Sequence, residues 1–141
     1  MKLDEKKLYQ KNKIGYNLVL IFVILDTIYT IFTLKNMAID YSIGIFIITN
    51  ILLLMVGFLA AVKLRVYSLK WSYLSILMGV VQGIRFFFIP HELCGQVKMY
   101  LSLVLLASAV VVFIAGIVST IKSNNRIHYI NENNISEEVL S

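Results

Sequence analysis

The chain has 141 residues, 59% of them hydrophobic, and carries a formal net charge of +5. This length allows one small domain, and a soluble domain of that size would interrupt its apolar runs with charge every few residues. Here the charged residues collect in the gaps between long apolar runs. That pattern excludes an ordinary soluble fold, and it explains the positive charge without nucleic acid as a partner.

Four apolar runs cover residues 14–34, 41–62, 71–89 and 100–121. Each is close to the ~20 residues that a helix needs to cross a hydrocarbon core of ~30 Å. Backbone polar groups in lipid must bond within the protein, which only helices and closed barrels achieve, and barrel strands would alternate apolar and polar residues. These runs do not alternate. The sequence therefore predicts an all-α integral membrane protein, a four-helix bundle of antiparallel spans.

The segments outside the runs carry unequal charge. Residues 1–13 form a cationic segment, and ten of the thirteen Lys and Arg residues lie before the first run, between the second and third, or after the fourth. Only Lys35 and Lys98 lie in the other two loops, and Arg85 lies inside a run. The positive-inside rule therefore predicts a multi-pass protein of the cell membrane with both termini in the cytoplasm. Residues 122–141 are polar and rich in Asn, and we expect them to form a flexible cytoplasmic tail.

Three smaller features concern processing, source and redox chemistry. The first run lacks a small-residue cleavage site at its end, so we expect a retained span rather than a signal peptide. The high content of Ile, Lys and Asn is typical of AT-rich genomes and favours a bacterial source. The single cysteine, Cys94, excludes an intramolecular disulfide and a CxxC redox pair.

Polar residues within the apolar runs recur at helical spacing and mark the faces that should avoid lipid. Asp26 begins such a stripe in the first run, and Arg85 ends one in the third. Because a charge at the bilayer centre costs ~2.5–3.5 kcal/mol on insertion scales, we expect these two residues to pair across the bundle. Their polar neighbours would satisfy the remaining hydrogen bonds. The predicted intramembrane polar cluster is Asp26, Tyr29, Thr30, Asn50, Gln82 and Arg85.

Several interpretations of the charged pair remain open from the sequence. It could be an interhelical clamp that fixes the packing of the bundle, a pocket for a proton, ion or small solute, or a contact to a charged residue of a partner subunit. Alternatively, Arg85 could reach the outer interface by snorkelling, which would leave Asp26 protonated or paired elsewhere.

Small residues in the runs predict where helices approach each other closely, because packing in lipid depends on close backbone contact. The spacing of Gly79 and Gly83 gives a GxxxG pattern in the third run. The predicted packing glycines are Gly57, Gly79, Gly83 and Gly116.

The sequence offers no catalytic or metal site. His91, Glu92 and Cys94 have residue types that bind metals, but they are adjacent and no second cluster supports them. No positioned base is indicated for Cys94 or for a serine nucleophile, and no glycine-rich phosphate loop is present. We therefore expect no enzyme activity, no cofactor and no bound metal.

The leading functional hypothesis is a non-enzymatic accessory or scaffold subunit of a larger membrane assembly, because the loops are too short to form a recognition or catalytic domain. The alternative is a minimal oligomeric transporter, or a solute- or ion-binding protein, that uses Asp26 and Arg85. An immunity or stress protein is compatible with the sequence, but no residue pattern indicates one. The expected partners are the lipid bilayer and either a membrane-protein subunit or a second copy of the chain.

Overall fold

The computed structural model describes residues 11–89, Leu93 and residues 95–135, and all regular structure in these residues is helical. The four long helices are α1 (Lys13–Asn36), α2 (Tyr41–Arg65), α3 (Leu69–Arg85) and α4 (Gly95–Glu132), and a 3-10 turn, Phe86–Phe88, extends α3. Four helices, with the turn included in the third, are long and apolar enough to cross a membrane. This confirms the prediction of an all-helical fold with four segments of spanning length.

Polar side chains fix the starts of the first two helices. The Asn12 side chain accepts a hydrogen bond of 3.1 Å from the backbone N–H of Gly15, and Asp40 accepts one of 2.7 Å from the backbone N–H of Ser42. Both bonds satisfy N–H groups that a helix leaves free at its first turn. Hydrogen bonds from the Ser42 hydroxyl and N–H hold the pKa of the Asp40 carboxyl below its ordinary value. The caps therefore define where the chain enters α1 and α2.

Consecutive helices are neighbours around the bundle. α1 packs against α2 and α4, and α3 packs extensively against α4 and through a smaller interface against α2. The four helices thus form a ring in chain order, which short connections favour. α1 and α3 occupy opposite corners of this ring, so a side-chain contact between them crosses the interior of the bundle.

The buried apolar residues form two separate clusters. The first apolar cluster draws on all four helices and contains Val19, Phe22, Ala60, Ala61, Leu64, Met78, Val112 and Ala115. The second apolar cluster contains Tyr29, Ile89, Leu93, Leu101 and Leu105. In α1, Asp26 lies between Phe22 of the first cluster and Tyr29 of the second, so buried polar residues separate the two clusters.

Three glycines lie where helices meet at short distance. A Cβ atom at Gly57 would lie 2.9 Å from the Phe22 ring of α1, and one at Gly116 would lie 2.6 Å from Cγ1 of Ile76 in α3. Gly79 faces α4 in the same way, at 2.8 Å from the Cβ of Phe113. In each case the absent side chain allows the close approach that packing in lipid requires.

The expected packing of Gly83 against another helix is not seen within the described bundle. A Cβ atom at Gly83 would meet nothing within 4 Å among the residues that the structure describes. At about 100° per residue, Gly83 is rotated about 40° around α3 from Gly79. The buried position of that turn belongs to Gln82 instead. The GxxxG spacing therefore contributes one packing glycine rather than two.

α4 is much longer than the predicted span of residues 100–121. Its 38 residues make it about 57 Å long, compared with ~30 Å for a hydrocarbon core. The expected flexible tail is therefore helical as far as Glu132, because residues 122–132 contain no Gly or Pro and an existing helix extends at little cost. The helix ends where Asn134 adopts a left-handed φ of 48° and the N–H of Ile135 bonds to the Ile130 carbonyl.

Some expectations fall on residues outside the described part of the chain. They include the cationic segment up to residue 10, the loop residues His91, Glu92 and Cys94, and the tail from residue 136.

Candidate functional site

A group of polar side chains crosses the bundle between the first and second apolar clusters. Every helix contributes to it, and we call it the polar layer. Its members are Asp26 and Thr30 of α1, Asn50 of α2, Gln82 and Arg85 of α3, and Ser108 of α4.

The centre of the polar layer is an ion pair between opposite corners of the ring. Nη1 of Arg85 lies 3.0 Å from Oδ1 of Asp26. The same oxygen accepts a 2.6 Å hydrogen bond from Nε2 of Gln82. The Asp26 side chain is fully buried and the Arg85 side chain is 16% exposed. In this dry setting a charge-assisted bond is stronger than it would be in water, and a lost partner costs more.

The guanidinium of Arg85 is held by partners on three helices. Besides Asp26 of α1, it donates from Nη1 to Oε1 of Gln82 at 2.6 Å and from Nη2 to Oδ1 of Asn50 at 2.5 Å. Its carbon lies 5.2 Å from the centre of the Tyr29 ring, within range of a cation–π interaction. Arg85 therefore points into the bundle, and the alternative in which it snorkels away from Asp26 does not describe this structure.

Gln82 links the ion pair to the fourth helix. Its Nε2 also donates to Oγ of Ser108 at 3.0 Å, and the Ser108 hydroxyl donates to the Leu105 carbonyl of its own helix at 2.7 Å. Ser108 is absent from the polar cluster expected from the sequence. A single serine in an apolar helix gives a weak signal, because its hydroxyl can bond the preceding turn of its own helix.

Asn50 and Thr30 join α2 to α1. The Asn50 amide donates to the Phe46 carbonyl at 2.7 Å, and the Thr30 hydroxyl lies 3.0 Å from Oδ1 of Asn50 and 2.8 Å from the Asp26 carbonyl oxygen. The hydroxyl has one proton, so it donates to one of these two acceptors at a time. Asn50 thus connects the guanidinium of α3 to α1 through its side-chain oxygen.

One atom of the polar layer is left over. Oδ2 of Asp26 is buried and has no hydrogen-bond partner among the described residues. An unsatisfied buried acceptor costs about 1–3 kcal/mol, and more when the group is charged. This oxygen is an open acceptor position in the polar layer for a small hydrogen-bond donor.

A second polar region lies where α1 begins and α2 ends. Asn12 is buried; its Nδ2 donates to Oγ of Ser119 at 3.1 Å, and its backbone N–H donates to the Arg65 carbonyl at 3.0 Å. Sequence reasoning placed Asn12 in the cationic N-terminal segment and missed this role. The available signal was an Asn directly before an apolar run, which is a preferred helix cap.

Two arginines in this second region lie against tyrosine rings. The guanidinium carbon of Arg65 lies 5.5 Å from the centre of the Tyr16 ring, and that of Arg126 lies 5.1 Å from the Tyr67 ring. Tyr67 has a left-handed φ of 59°, which costs a non-glycine residue about 1–2 kcal/mol. We call this region the basic end of the bundle.

Within residues 11–89, 93 and 95–135, no group of three or more His, Cys, Asp or Glu side chains is arranged to hold a metal ion. Comparison of the chain with protein-family models, curated proteins and solved structures finds no match.

Proposed function

We propose that the chain is a multi-pass protein of the cell membrane whose four helices cross it antiparallel, with both termini in the cytoplasm. Two features support this arrangement. The connections between helices are short, which favours antiparallel neighbours. Ten of the thirteen Lys and Arg residues also fall on the side that the positive-inside rule assigns to the cytoplasm.

The single natural cysteine allows a direct test of this orientation. We expect a membrane-impermeant maleimide to label Cys94 in intact cells, because the proposed topology puts the loop between α3 and α4 outside. The control is Cys94→Ser combined with Ser136→Cys, which should be labelled only after the membrane is made permeable. The reverse pattern would overturn the proposed orientation.

We further propose that the protein is a non-enzymatic scaffold or accessory subunit of a larger membrane assembly. The observation that carries this proposal is that the polar layer is enclosed by the first apolar cluster on one side and the second on the other. The charges and hydrogen bonds of the polar layer join the four helices to one another. An interhelical clamp fits this arrangement better than a route for a solute across the bundle.

The outer surface of the bundle is where a partner would bind. Each helix exposes large apolar side chains on this surface, for example Ile24, Ile48, Leu77 and Ile114. In lipid such residues are equally suited to contact acyl chains or the helices of another subunit, and helix association there depends on packing.

The experiment that tests the accessory role is purification of the tagged full chain from its native membrane in a mild detergent. We expect a membrane protein to be recovered with it in fixed stoichiometry. A matched pair of variants, Ile48→Trp on α2 and Leu77→Trp on α3, should then show which helix contacts the partner. The variant on the contacting helix should lose the partner during purification, and the variant on a lipid-facing helix should keep it. Recovery of a monomer or a pure homo-oligomer would contradict the accessory role.

A second candidate function is binding of a proton or small ion in the polar layer. The specific observation in its favour is Oδ2 of Asp26, which is buried without a partner among the described residues. If this site moves protons across the membrane, they also need a path past the first apolar cluster to the basic end.

Reconstituted vesicles with a pH-sensitive dye inside would test the second candidate. If Asp26 exchanges protons with the solvent, the wild-type chain should dissipate an imposed pH gradient faster than the Asp26→Asn variant. Lys98→Gln, which removes a charge near the start of α4, is the control and should behave as the wild type. Equal rates for all three chains would exclude proton movement through Asp26.

A further inference from the structure

The basic end of the bundle carries a concentration of positive charge. Among the residues that the structure describes at this end of the bundle, Glu132 is the only carboxylate. It lies six residues beyond Arg126, or about 9 Å along α4. Its Oε1 lies 3.3 Å from Nδ1 of His128. The described basic residues at this end are Lys11, Lys13, Lys63, Arg65, Lys70, Lys122 and Arg126.

Two buried donors on α4 lack acceptors at this end. Oγ of Ser123 and Nε of Arg126 are both buried and have no hydrogen-bond partner in the described part of the chain. Ser123 as a residue is 1% exposed. The two residues are three positions apart, so their side chains lie on the same face of the helix. Because buried donors are rarely left unpaired in folded proteins, this face can offer two hydrogen bonds to acceptors from outside the described residues.

The guanidinium of Arg126 is held in position before any ligand arrives. It lies 5.1 Å from the centre of the Tyr67 ring, and Tyr67 reaches that place through a left-handed backbone conformation. Such strained conformations persist where the surrounding structure requires them and are concentrated at functional sites. A fixed, planar guanidinium matches the geometry of a phosphate group, to which it can donate two parallel hydrogen bonds.

We propose that Ser123 and Arg126 bind the phosphate of an anionic phospholipid. Arg126 lies seven residues beyond Ser119, the residue of α4 that bonds to Asn12 at the start of α1. That separation is about 10 Å along the helix, of the same order as the ~5–8 Å of headgroup region on each side of the hydrocarbon core. Ile127, which follows Arg126 on α4, is exposed and can contact the apolar part of a lipid, which a free phosphate ion does not have. The inference requires a membrane around the helices but does not depend on the accessory role.

The experiment measures the thermal stability of the purified full chain in a neutral detergent while one probe is added at a time. The probes are phosphatidylglycerol, phosphatidylcholine and inorganic phosphate. We expect phosphatidylglycerol to raise the Tm with a saturable dependence, and the other two probes to leave it almost unchanged. Arg126→Gln should weaken the apparent affinity for phosphatidylglycerol about tenfold, as expected for loss of charge-assisted hydrogen bonds.

Lys122→Gln is the matched control. It removes the same amount of charge from the same part of α4 but leaves Ser123, Arg126 and Tyr67 in place, so its affinity for phosphatidylglycerol should stay within about twofold of the wild type. Equal losses in Lys122→Gln and Arg126→Gln would overturn the site in favour of diffuse charge attraction. Equal stabilisation by phosphatidylcholine, or by inorganic phosphate, would overturn the proposal of an anionic lipid.

Arg126→Lys and Ser123→Ala keep the test decisive if Arg126→Gln does not fold, as judged by gel filtration and circular dichroism. Arg126→Lys keeps the charge but loses the planar donor pair, and Ser123→Ala removes one donor. Each should weaken binding of phosphatidylglycerol several-fold, because each removes a hydrogen bond to the phosphate. Unchanged affinity in both variants would overturn the proposal.

Discussion

The polar layer and the basic end place charge next to apolar surroundings in opposite ways. In the polar layer, Asp26 and Arg85 neutralise each other, and partners from the same chain satisfy most of the remaining hydrogen bonds. At the basic end the described charge is mostly of one sign, and Ser123 and Arg126 have donors without acceptors. Lipid tails offer no hydrogen bonds, whereas headgroups and water do. A charge among lipid tails therefore needs its partner within the chain, whereas a charge at the headgroups can find one outside it.

The largest loss of stability is expected when one half of the ion pair is removed. Arg85→Met should destabilise the protein by about 3–5 kcal/mol, because Asp26 is left as a buried, uncompensated charge. The double variant Asp26→Leu with Arg85→Met should lose less, since no lone charge remains. Lys98→Met is the control, because it removes a charge from an end of the bundle where water is available.

Folded yield by gel filtration and resistance to denaturing detergent would measure these losses. An equal loss of stability in Arg85→Met and in the double variant would contradict the pairing of Asp26 with Arg85. A Lys98→Met loss as large as that of Arg85→Met would show that any removed charge has the same effect.

A smaller effect is expected from the packing that holds the polar layer together. In Gly116→Ala the new Cβ would lie 2.6 Å from Cγ1 and 2.7 Å from the backbone N of Ile76, so α3 and α4 must move apart. We expect a loss of about 1–3 kcal/mol, as for other overpacked sites. Gly83→Ala is the matched control. It meets nothing within 4 Å in the described structure and should gain up to about 1 kcal/mol from helix propensity.

Thermal unfolding of both variants in one detergent would show the two signs directly. Destabilisation by Gly83→Ala would mean that Gly83 packs against something else, such as a partner subunit or a second copy of the chain. A neutral Gly116→Ala would contradict the close contact between α3 and α4.

At the basic end, a comparable test concerns the residue that joins three helices. Asn12→Ala removes the cap of α1 and the hydrogen bond to Ser119 of α4, which should cost about 1–2 kcal/mol. Asn17→Ala changes the same residue type at an exposed position of α1 and should have almost no effect. Thermal unfolding in detergent measures both. Equal values would contradict the buried contacts of Asn12 with α2 and α4.

The sequence predicted the elements whose signal is strong against an apolar background. Four runs of about 20 apolar residues have few structural alternatives, and a charge such as Asp26 or Arg85 is conspicuous within them. Helical spacing then assigned Gln82 and Asn50 to the same interior. These inferences need no knowledge of which helices are neighbours, because in lipid every strongly polar side chain has to turn inward.

The sequence could not predict features that depend on neighbouring helices. Gly79 and Gly83 look equivalent in sequence, but only Gly79 meets α4. The buried state of Asn12 depends on Ser119, 107 positions away along the chain. The length of α4 was underestimated because polar residues outside the membrane can extend a helix as readily as they can form a loop.

The smallest expected effect concerns Asp40, an exposed carboxylate that caps the start of α2. Its pKa lies below the ordinary value of 3.8 because the Ser42 hydroxyl and N–H donate to the charged form. A carboxyl with a lowered pKa in the folded state adds stability above its unfolded pKa, and that stability is lost as the pH falls through the folded pKa.

The Tm of the wild type should therefore fall slightly more than that of Asp40→Asn as the pH is lowered from about 5 to below 3.8, since Asn keeps a cap but does not titrate. All other titratable groups are shared by both chains, so their contributions cancel in the difference. A difference of opposite sign would mean that Asp40 is stabilised as the neutral acid. In that case the capping bond to Ser42 would not be what fixes the start of α2.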